Sequence, residues 1–370
     1  MLSAFNSQKF RFWAFISMVL LVFVHAYNLN ESYLQPWTLP HEPLTVTGFT
    51  EYWLANGLFR FRIPMLFIIS GYLFAMSDHK PYKERTRKRV KTLLYPYLIW
   101  SAAGLLLTYV LEMFSYGSNV VAATHMVQLD DSRVLLHQHH WYEVLARWIF
   151  FPVSYQLWFI RVLFIYNLAY PAIRFCIMHR VGKWIFFSIA FLMWFATAGF
   201  IIIEGEGLLF FSLGIWMQKT NFDIDKANKW LNLKSWFIIF ISLSVIKTLL
   251  AFEANFTGIQ LVLTILHKTV VISGLIFAWF GCNAMVRFFM GKKWFVWLSA
   301  FSFMIYVIHA PLVVYATKAV FMYADHWYAY RIITFILLPL CLIAIAIVKG
   351  ALLRTLMPGV YSFLSGGRGL

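Results

Sequence analysis

About ten stretches of this chain run for roughly twelve to twenty-four residues with hardly a charge, and they leave few folds open. A helix that crosses a bilayer needs about 20 mostly apolar residues. Inside lipid the backbone can be satisfied only within helices or a closed barrel. These runs are continuous and do not alternate in polarity, which excludes barrel strands. They fall near residues 11–29, 56–76, 92–112, 156–177, 184–203, 207–218, 235–252, 259–281, 294–316 and 330–353. The run at 207–218 is short and bounded by Glu206 and Lys219, as a tilted or partial span would be. With 61% hydrophobic residues, 12% charged and a mean hydropathy of +0.71, the chain carries more apolar surface than a soluble domain buries. The expectation is an all-α polytopic membrane protein with about ten transmembrane helices. With no internal repeat or low-complexity tract, residues 1–370 read as a single membrane domain.

The basic residues set its orientation. With the N-terminus inside, 22 of the 31 Lys and Arg fall in inner segments and five in outer ones: Arg133, Arg147, Lys247, Lys318 and Arg331. Cytoplasmic loops collect Lys and Arg, so both termini are expected to be cytoplasmic. This distribution assigns the formal charge of +16 to topology and to contact with anionic membrane lipids, not to nucleic acid. No cleavable signal pattern precedes the first span, since Phe10 onward is too long and lacks a small-residue cleavage site before Tyr27. Cys176, Cys282 and Cys341 lie in or beside apolar runs and offer neither a disulfide framework nor metal-ligand spacing.

Four cations fall inside spans: Arg60, Arg62, Arg161 and Lys268; no carboxylate falls in the middle of one. A proton-coupled transporter would carry acidic relays there. A core that is basic without acids favours an anionic or oxyanion-forming ligand. For Arg60 and Arg62 the alternative is snorkelling to the outer surface. The first span adds His25, fourteen positions after Arg11. The two lie within about 40° on one helix face and about 21 Å apart along the axis. An ionisable group in a span faces the protein interior and is a functional candidate; the plainer alternative is a His that bonds a neighbouring helix.

Outside the spans, Glu31 to Ala55 is an outer segment with Pro36, Pro40 and Pro43. Ser115 to Tyr155 is another and contains His125, His137, His139 and His140. A His-rich tract raises the question of zinc, but no Cys or paired carboxylate accompanies it, so it reads as surface loop and no metal site is assigned. Asp223 to Leu233 begins with a capping Asp and reads as a short interfacial helix.

Four further motifs accompany His25. Arg60 to Phe74 reads RFRIPMLFIISGYLF, in which Pro64 would kink the span, Gly71 permits close helix approach and Ser70 can bond across helices. Lys83 to Trp100 reads KERTRKRVKTLLYPYLIW, a basic run entering a span through Pro96. Gln156 to Arg161 reads QLWFIR, and Ser302 to Pro311 reads SFMIYVIHAP, with His309 in the ninth span.

This ordered set resembles the acyltransferase type 3 family of integral membrane acyltransferases, over nearly the whole chain. The resemblance rests on the first-span His followed by Ala, the R…P…SGYL stretch, the basic run ending PY..W, LWF(I)R, FFSLGI and SF.IY.IH.P. It implies about ten spans with cytoplasmic termini, a multi-pass place in the cell inner membrane and transfer of an acyl group to envelope sugars. It matches His25 to the catalytic first-span His, Arg60 to the Arg four positions before the Pro, and Arg161 to the Arg after LWF. Two positions depart from the family pattern. Ala14 stands where a basic residue usually precedes the His by eleven, with Arg11 one turn earlier on nearly the same face. The family's Arg-x-x-Arg appears as Arg89-Val-Lys-Thr92, keeping Arg89 with Lys91 nearby.

On that reading the donor is acyl-CoA, with acetyl-CoA the expected form, used as a substrate and not held as a bound cofactor. Arg11, Arg89 and Lys91 at the inner face would hold its phosphates; the alternative for the basic run is a topogenic and lipid-binding role. His25 would take the proton of an acceptor hydroxyl, Arg60 or Arg161 would stabilise the oxyanion, and His309 with Ser70 would position substrate. The acceptor is expected to be an envelope glycan or lipid-linked sugar, largely uncharged, because Glu31, Glu42, Glu51, Glu204 and Glu206 would repel a polyanion from outside. The alternative function is a permease or flippase for an acylated or anionic small molecule.

Overall fold

The computed structural model describes residues 2–28, 34–129, 133–199, 201–225, 232–327 and 329–369. Among them the chain is helical, with no strand beyond one isolated bridge between Gly199 and Glu204. The helices run α1 (Ala4–His25), α2 (Val46–Trp53), α3 (Arg62–Ala75), α4 (Tyr82–Arg89), α5 (Tyr95–Glu112), α6 (Ser115–Thr124), α7 (Trp141–Ile149), α8 (Trp158–Leu168) and α9 (Tyr170–Met178). They continue as α10 (Gly182–Phe195), α11 (Gly205–Lys219), α12 (Leu233–Glu253), α13 (Ile259–Ile276), α14 (Asn283–Met290), α15 (Lys293–Ser299), α16 (Ser302–Tyr323), α17 (Tyr330–Leu356) and α18 (Pro358–Ser365).

Seven helical segments are long and apolar enough to cross a membrane: Ala4–His25, Val46–Ala75, Tyr82–Glu112, Leu233–Glu253, Ile259–Gly281, Ser302–Tyr323 and Tyr330–Leu356. The pair α8 and α9 makes an eighth if it counts as one span bent by 67°. All ten expected runs have helical counterparts, but α10 and α11, with 14 and 15 residues, reach only about 21–22 Å against a hydrocarbon thickness of about 30 Å. The protein is a multi-pass, all-α membrane protein.

Prolines mark where helices begin. Pro64 stands in the first turn of α3, where no i−4 carbonyl awaits its missing N–H, so the break falls before it, at Phe59–Phe61. Pro96 opens α5 after an irregular turn over Val90–Leu94, Pro171 opens α9 after the bend, and Pro358 opens α18. The expected run at 294–316 is displaced: α15 ends at Ser299 and the long helix begins at Ser302. The expected interfacial helix at Asp223 to Leu233 falls largely outside the described residues.

The contacts divide the chain into two units, one of residues 1–17, 35–90 and 162–299, the other of residues 18–34, 91–161 and 300–370. In the first, α3 and α11 touch backbone to backbone. A Cβ on Gly71 would lie 2.0 Å from the Phe211 carbonyl oxygen, and one on Gly214 would lie 2.2 Å from that of Ile68. Small residues on both helices thus permit the approach, as they do between membrane helices generally. Ser70, beside this seam, makes no hydrogen bond to another helix among the described residues. This unit also holds a partly open pocket of about 390 Å³ lined by apolar side chains, including Met65, Trp194, Leu213 and Trp279. In the second unit Leu105, Val120, Val121, Val127, Leu136 and Val153 pack around Tyr315, whose hydroxyl is 2.9 Å from that of Thr108.

Candidate active site

The second unit brings two of the expected residues together. His25 is the last residue of α1, and its Nδ1 is hydrogen-bonded to the hydroxyl of Tyr155. The two rings stack with centroids 4.7 Å apart, while the His309 ring meets His25 edge to face at 5.3 Å. His309 is 1% exposed. Its Nδ1 is 3.0 Å from the Ile305 carbonyl; a carbonyl only accepts, so Nδ1 carries the proton and Nε2 keeps its lone pair.

The backbone around His309 is irregular for a reason the sequence contains. Pro311 cannot donate to Val307, and Ala310 leaves the helical region at φ −117°, ψ 141°. The amide of Gln156 meets the broken segment, with Nε2 2.8 Å from the Ala310 carbonyl and 3.4 Å from that of Tyr306. In return the Tyr306 hydroxyl donates to the Gln156 carbonyl at 2.6 Å. Tyr155 and Gln156 share one short 3₁₀ turn, Tyr155–Leu157, so the turn that orients His25 also repairs the helix carrying His309. Arg161 follows on α8 and acts by charge on the hydroxyls of Tyr97 and Tyr306; the Tyr306 ring is 6.4 Å from that of His309. Tyr155 was not singled out from sequence, although it directly precedes the QLWFIR stretch.

Arg60 belongs to the first unit, in the break before α3, where its charge acts with those of Glu206 and Arg62. Two expectations are corrected there. Lys247 is not an outer-segment residue: it lies within α12, fully buried, with Nζ 2.8 Å from the Asn56 carbonyl. Nor do all the outer acids face outward. Glu51 is 3% exposed, Glu204 caps α11 by accepting from the N–H groups of Glu206 and Gly207, and Glu206 acts on Lys268, Arg60 and Arg62. Helical periodicity carries no label for which face is buried, which is why these positions misled.

Also in the first unit, Arg11 donates to the Ser299 hydroxyl at 2.8 Å and to the Val296 carbonyl at 2.5 Å, closing the end of α15. Asp78 gathers Arg85 at 2.9 Å, Arg174 at 3.1 Å and Lys219 at 2.5 Å. Burial pushes the Asp78 carboxyl up, but the Lys219 bond and the neighbouring cations hold it below the usual carboxylate range. Arg85 is thereby occupied, while Arg87, Lys88 and Lys91 are exposed and Arg89 lies over the Phe74 ring at 5.0 Å. In the expected outer loop, His137 meets Glu112 at 3.0 Å and His139 bonds the Leu135 carbonyl at 2.8 Å, contacts that hold loop to helix.

A pair of packed imidazoles, one oriented by a phenol, with a guanidinium nearby, has the parts for proton abstraction from a hydroxyl and for stabilising an oxyanion. Comparison with known proteins agrees with that chemistry. A family model described as an acyltransferase domain matches residues 11–348. The chain belongs to that family, the acyltransferase type 3 family, and is a membrane acyltransferase. It is similar to the succinoglycan biosynthesis protein ExoH of Rhizobium meliloti (strain 1021), 24% identical over 324 residues, covering 85% of this chain and 81% of the relative. No solved structure matches it.

Proposed function

We propose that this protein is an O-acyltransferase of the cytoplasmic membrane, one acyltransferase domain over residues 1–370 with both termini inside. It moves an acetyl or other short acyl group from cytoplasmic acyl-CoA to a hydroxyl of an envelope polysaccharide. The observation that carries the reading is the His25–Tyr155–His309 arrangement. The relative's name, a succinoglycan biosynthesis protein, supports a glycan acceptor.

In this mechanism His25 Nδ1–H donates to the Tyr155 oxygen, which puts the lone pair that takes the acceptor's hydroxyl proton on Nε2. The acceptor oxygen bonds to the thioester carbon, and the resulting oxyanion is stabilised by Arg161. Collapse breaks the carbon–sulfur bond, and the CoA thiolate leaves with the proton that His25 returns. His309, with Nδ1 committed to Ile305, presents Nε2 to the acceptor. The exposed basic residues near Lys91 hold the donor phosphates as point charges.

Transfer of label from acetyl-CoA by purified protein tests the reading. His25→Ala is expected to lower turnover by about 10²–10⁴, the usual contribution of a positioned base. Equal turnover by wild type and variant at matched protein level would remove His25 from the reaction.

A further inference from the structure

Arg60 sits in a segment whose backbone leaves the α-helical pattern. Leu54–Leu58 winds as a π-helical turn, so the Phe59 N–H bonds the Leu54 carbonyl, five residues back, at 3.1 Å. The Arg60 N–H then bonds the Gly57 carbonyl, three residues back, at 3.3 Å. In an α-helix it would bond the carbonyl four residues back, that of Asn56. That carbonyl instead accepts from the ammonium of Lys247 on α12 at 2.8 Å. Lys247 thus fills the place that the Arg60 N–H would take.

The lysine is held there from several sides. It is fully covered and lies 3.5 Å from the Tyr52 hydroxyl and 4.9 Å from that ring's centroid. The Tyr52 hydroxyl donates to the Thr38 carbonyl at 2.7 Å and accepts from the Asn56 side-chain amide at 2.8 Å. The same amide nitrogen donates to the Gln35 carbonyl at 3.0 Å. One turn earlier on α12, the Ser244 hydroxyl accepts from the Trp53 indole N–H at 2.8 Å. Trp53 with Ser244 and Asn56 with Lys247 therefore make two rungs between the same two elements. An ammonium buried in a membrane helix needs an acceptor, and a carbonyl released by an irregular turn supplies one.

The charge of Lys247 also acts on Arg60, and Glu206 on α11 acts on Arg60 with the opposite sign. Repulsion on one side and attraction on the other favour an Arg60 side chain turned from α12 toward Glu206. Arg60 is only half-buried, whereas Lys247 is covered on every side. We infer that Lys247 is a positioning residue: it keeps the helix open at Asn56 and so holds Arg60 in the geometry that acyl transfer uses. An ionisable group inside a span is a functional candidate, and π turns recur at functional sites. The use of Arg60 in the reaction rests on the acyltransferase reading; the capture of the Asn56 carbonyl does not.

Hydrogen exchange tests the placement without turnover. Backbone amides over residues 54–61 are followed by mass spectrometry on the full-length protein in detergent. In Lys247→Met, and in Lys247→Leu as the second variant, exchange there should slow, because the released Asn56 carbonyl takes the Arg60 N–H and closes an α-helical turn. Both variants should stay folded, since an apolar side chain in place of a buried charge is often neutral. A lysine that served stability alone would leave the carbonyl unmet and quicken exchange. Faster or unchanged exchange in both variants, or loss of monodisperse protein in both, would overturn the assignment.

Initial rates of label transfer from acetyl-CoA then test the link to the reaction. A hydrogen bond from a charged donor biases a two-state segment about 10- to 150-fold, so Lys247→Met should lower kcat/KM by about that factor. Arg60→Ala should lower it at least as far, because Lys247 acts through Arg60. Ser244→Ala cuts the neighbouring rung but leaves the Asn56 carbonyl engaged, and should stay within about twofold of wild type. Three results would overturn the positioning role: a Lys247→Met rate within about twofold of wild type, a smaller loss in Arg60→Ala than in Lys247→Met, or an equal loss in Ser244→Ala. A wild type that turns over no donor, with the slower exchange in place, would count against the acyltransferase reading and not against the placement of Lys247.

Discussion

Replacing Tyr155 by Phe removes a single oxygen from the candidate active site and leaves its ring stacked on His25 at the same 4.7 Å. What is lost is the hydrogen bond to His25 Nδ1, which in the proposed mechanism sets the ring's orientation and turns Nε2 to the acceptor. A hydrogen bond nets about 0.5–1.5 kcal/mol, while a buried polar atom stripped of its partner costs about 1–3 kcal/mol. At about 1.4 kcal/mol per factor of ten, the first range is about 2- to 13-fold in rate and the second about 5- to 150-fold. In the proposed mechanism this bond holds His25 in its reactive tautomer, so the loss should fall mainly on kcat, by about 5- to 100-fold, with KM for either substrate little changed. Initial rates of label transfer from acetyl-CoA, measured in a cycle with His25→Ala, test this. In the His25→Ala background Tyr155→Phe should cost nothing further, since the ring it orients is gone. Two results would refute the reasoning: a kcat within twofold of wild type, or an equal loss in both backgrounds.

Two further outcomes follow from the structure. Arg89→Ala combined with Lys91→Ala should raise KM for acetyl-CoA by about 2- to 30-fold, taking about 0.2–1 kcal/mol for each of the two charge contacts, one from the exposed Lys91 and one from the half-buried Arg89. The change in kcat should be smaller and the effect should shrink with added salt, which steady-state kinetics at two ionic strengths will report; an unchanged KM at low salt leaves the run topogenic. Gly71→Ala places a Cβ 2.0 Å from the Phe211 carbonyl oxygen, so overpacking of about 1–3 kcal/mol should lower Tm and the yield of monodisperse protein by size-exclusion chromatography. Ser70→Ala, next to it, should behave as wild type.

The hydrophobic runs made the helices legible, and seven of them stand in the structure at full membrane-crossing length. Run length did not reveal that Pro64 begins a helix instead of kinking one, because the break lies in Phe59–Phe61, where apolar composition continues unbroken. Nor did it locate the interruption between α15 and α16, where Ala300 and Phe301 look like any other apolar pair. His25 and His309 were legible as candidates because an ionisable group in an apolar run stands out. Tyr155 was not, since a Tyr near a membrane surface is ordinary. Lys247 was misassigned for a similar reason: its position along the run suggested the outer end, whereas its side chain turns inward to the Asn56 carbonyl. Glu206 shows the same limit in reverse, an acid counted with the outer surface whose charge acts on Arg60, Arg62 and Lys268.

The two stretches that contribute most to the candidate site, QLWFIR and SFMIYVIHAP, lie about 150 positions apart, yet in the structure neither is complete alone. In an unbroken helix residue 311 would donate to the Val307 carbonyl, which Pro311 cannot do, and the Gln156 amide meets the segment on either side of that carbonyl, at Ala310 and more distantly at Tyr306. The Tyr306 hydroxyl returns a bond to the Gln156 backbone and so fixes the 3₁₀ turn from which Tyr155 reaches His25. The break at Ala310 exposes the carbonyl that Gln156 binds at 2.8 Å, next in sequence to His309. An apolar residue at 156 would take the donor away from the buried Ala310 carbonyl, at about 1–3 kcal/mol. The strain would fall on the segment that holds His309 before it reached Arg161, one helical turn further along α8. The Gln-bearing turn and the proline-broken helix are thus joined in this chain by bonds running both ways, Gln156 to Ala310 and Tyr306 to Gln156.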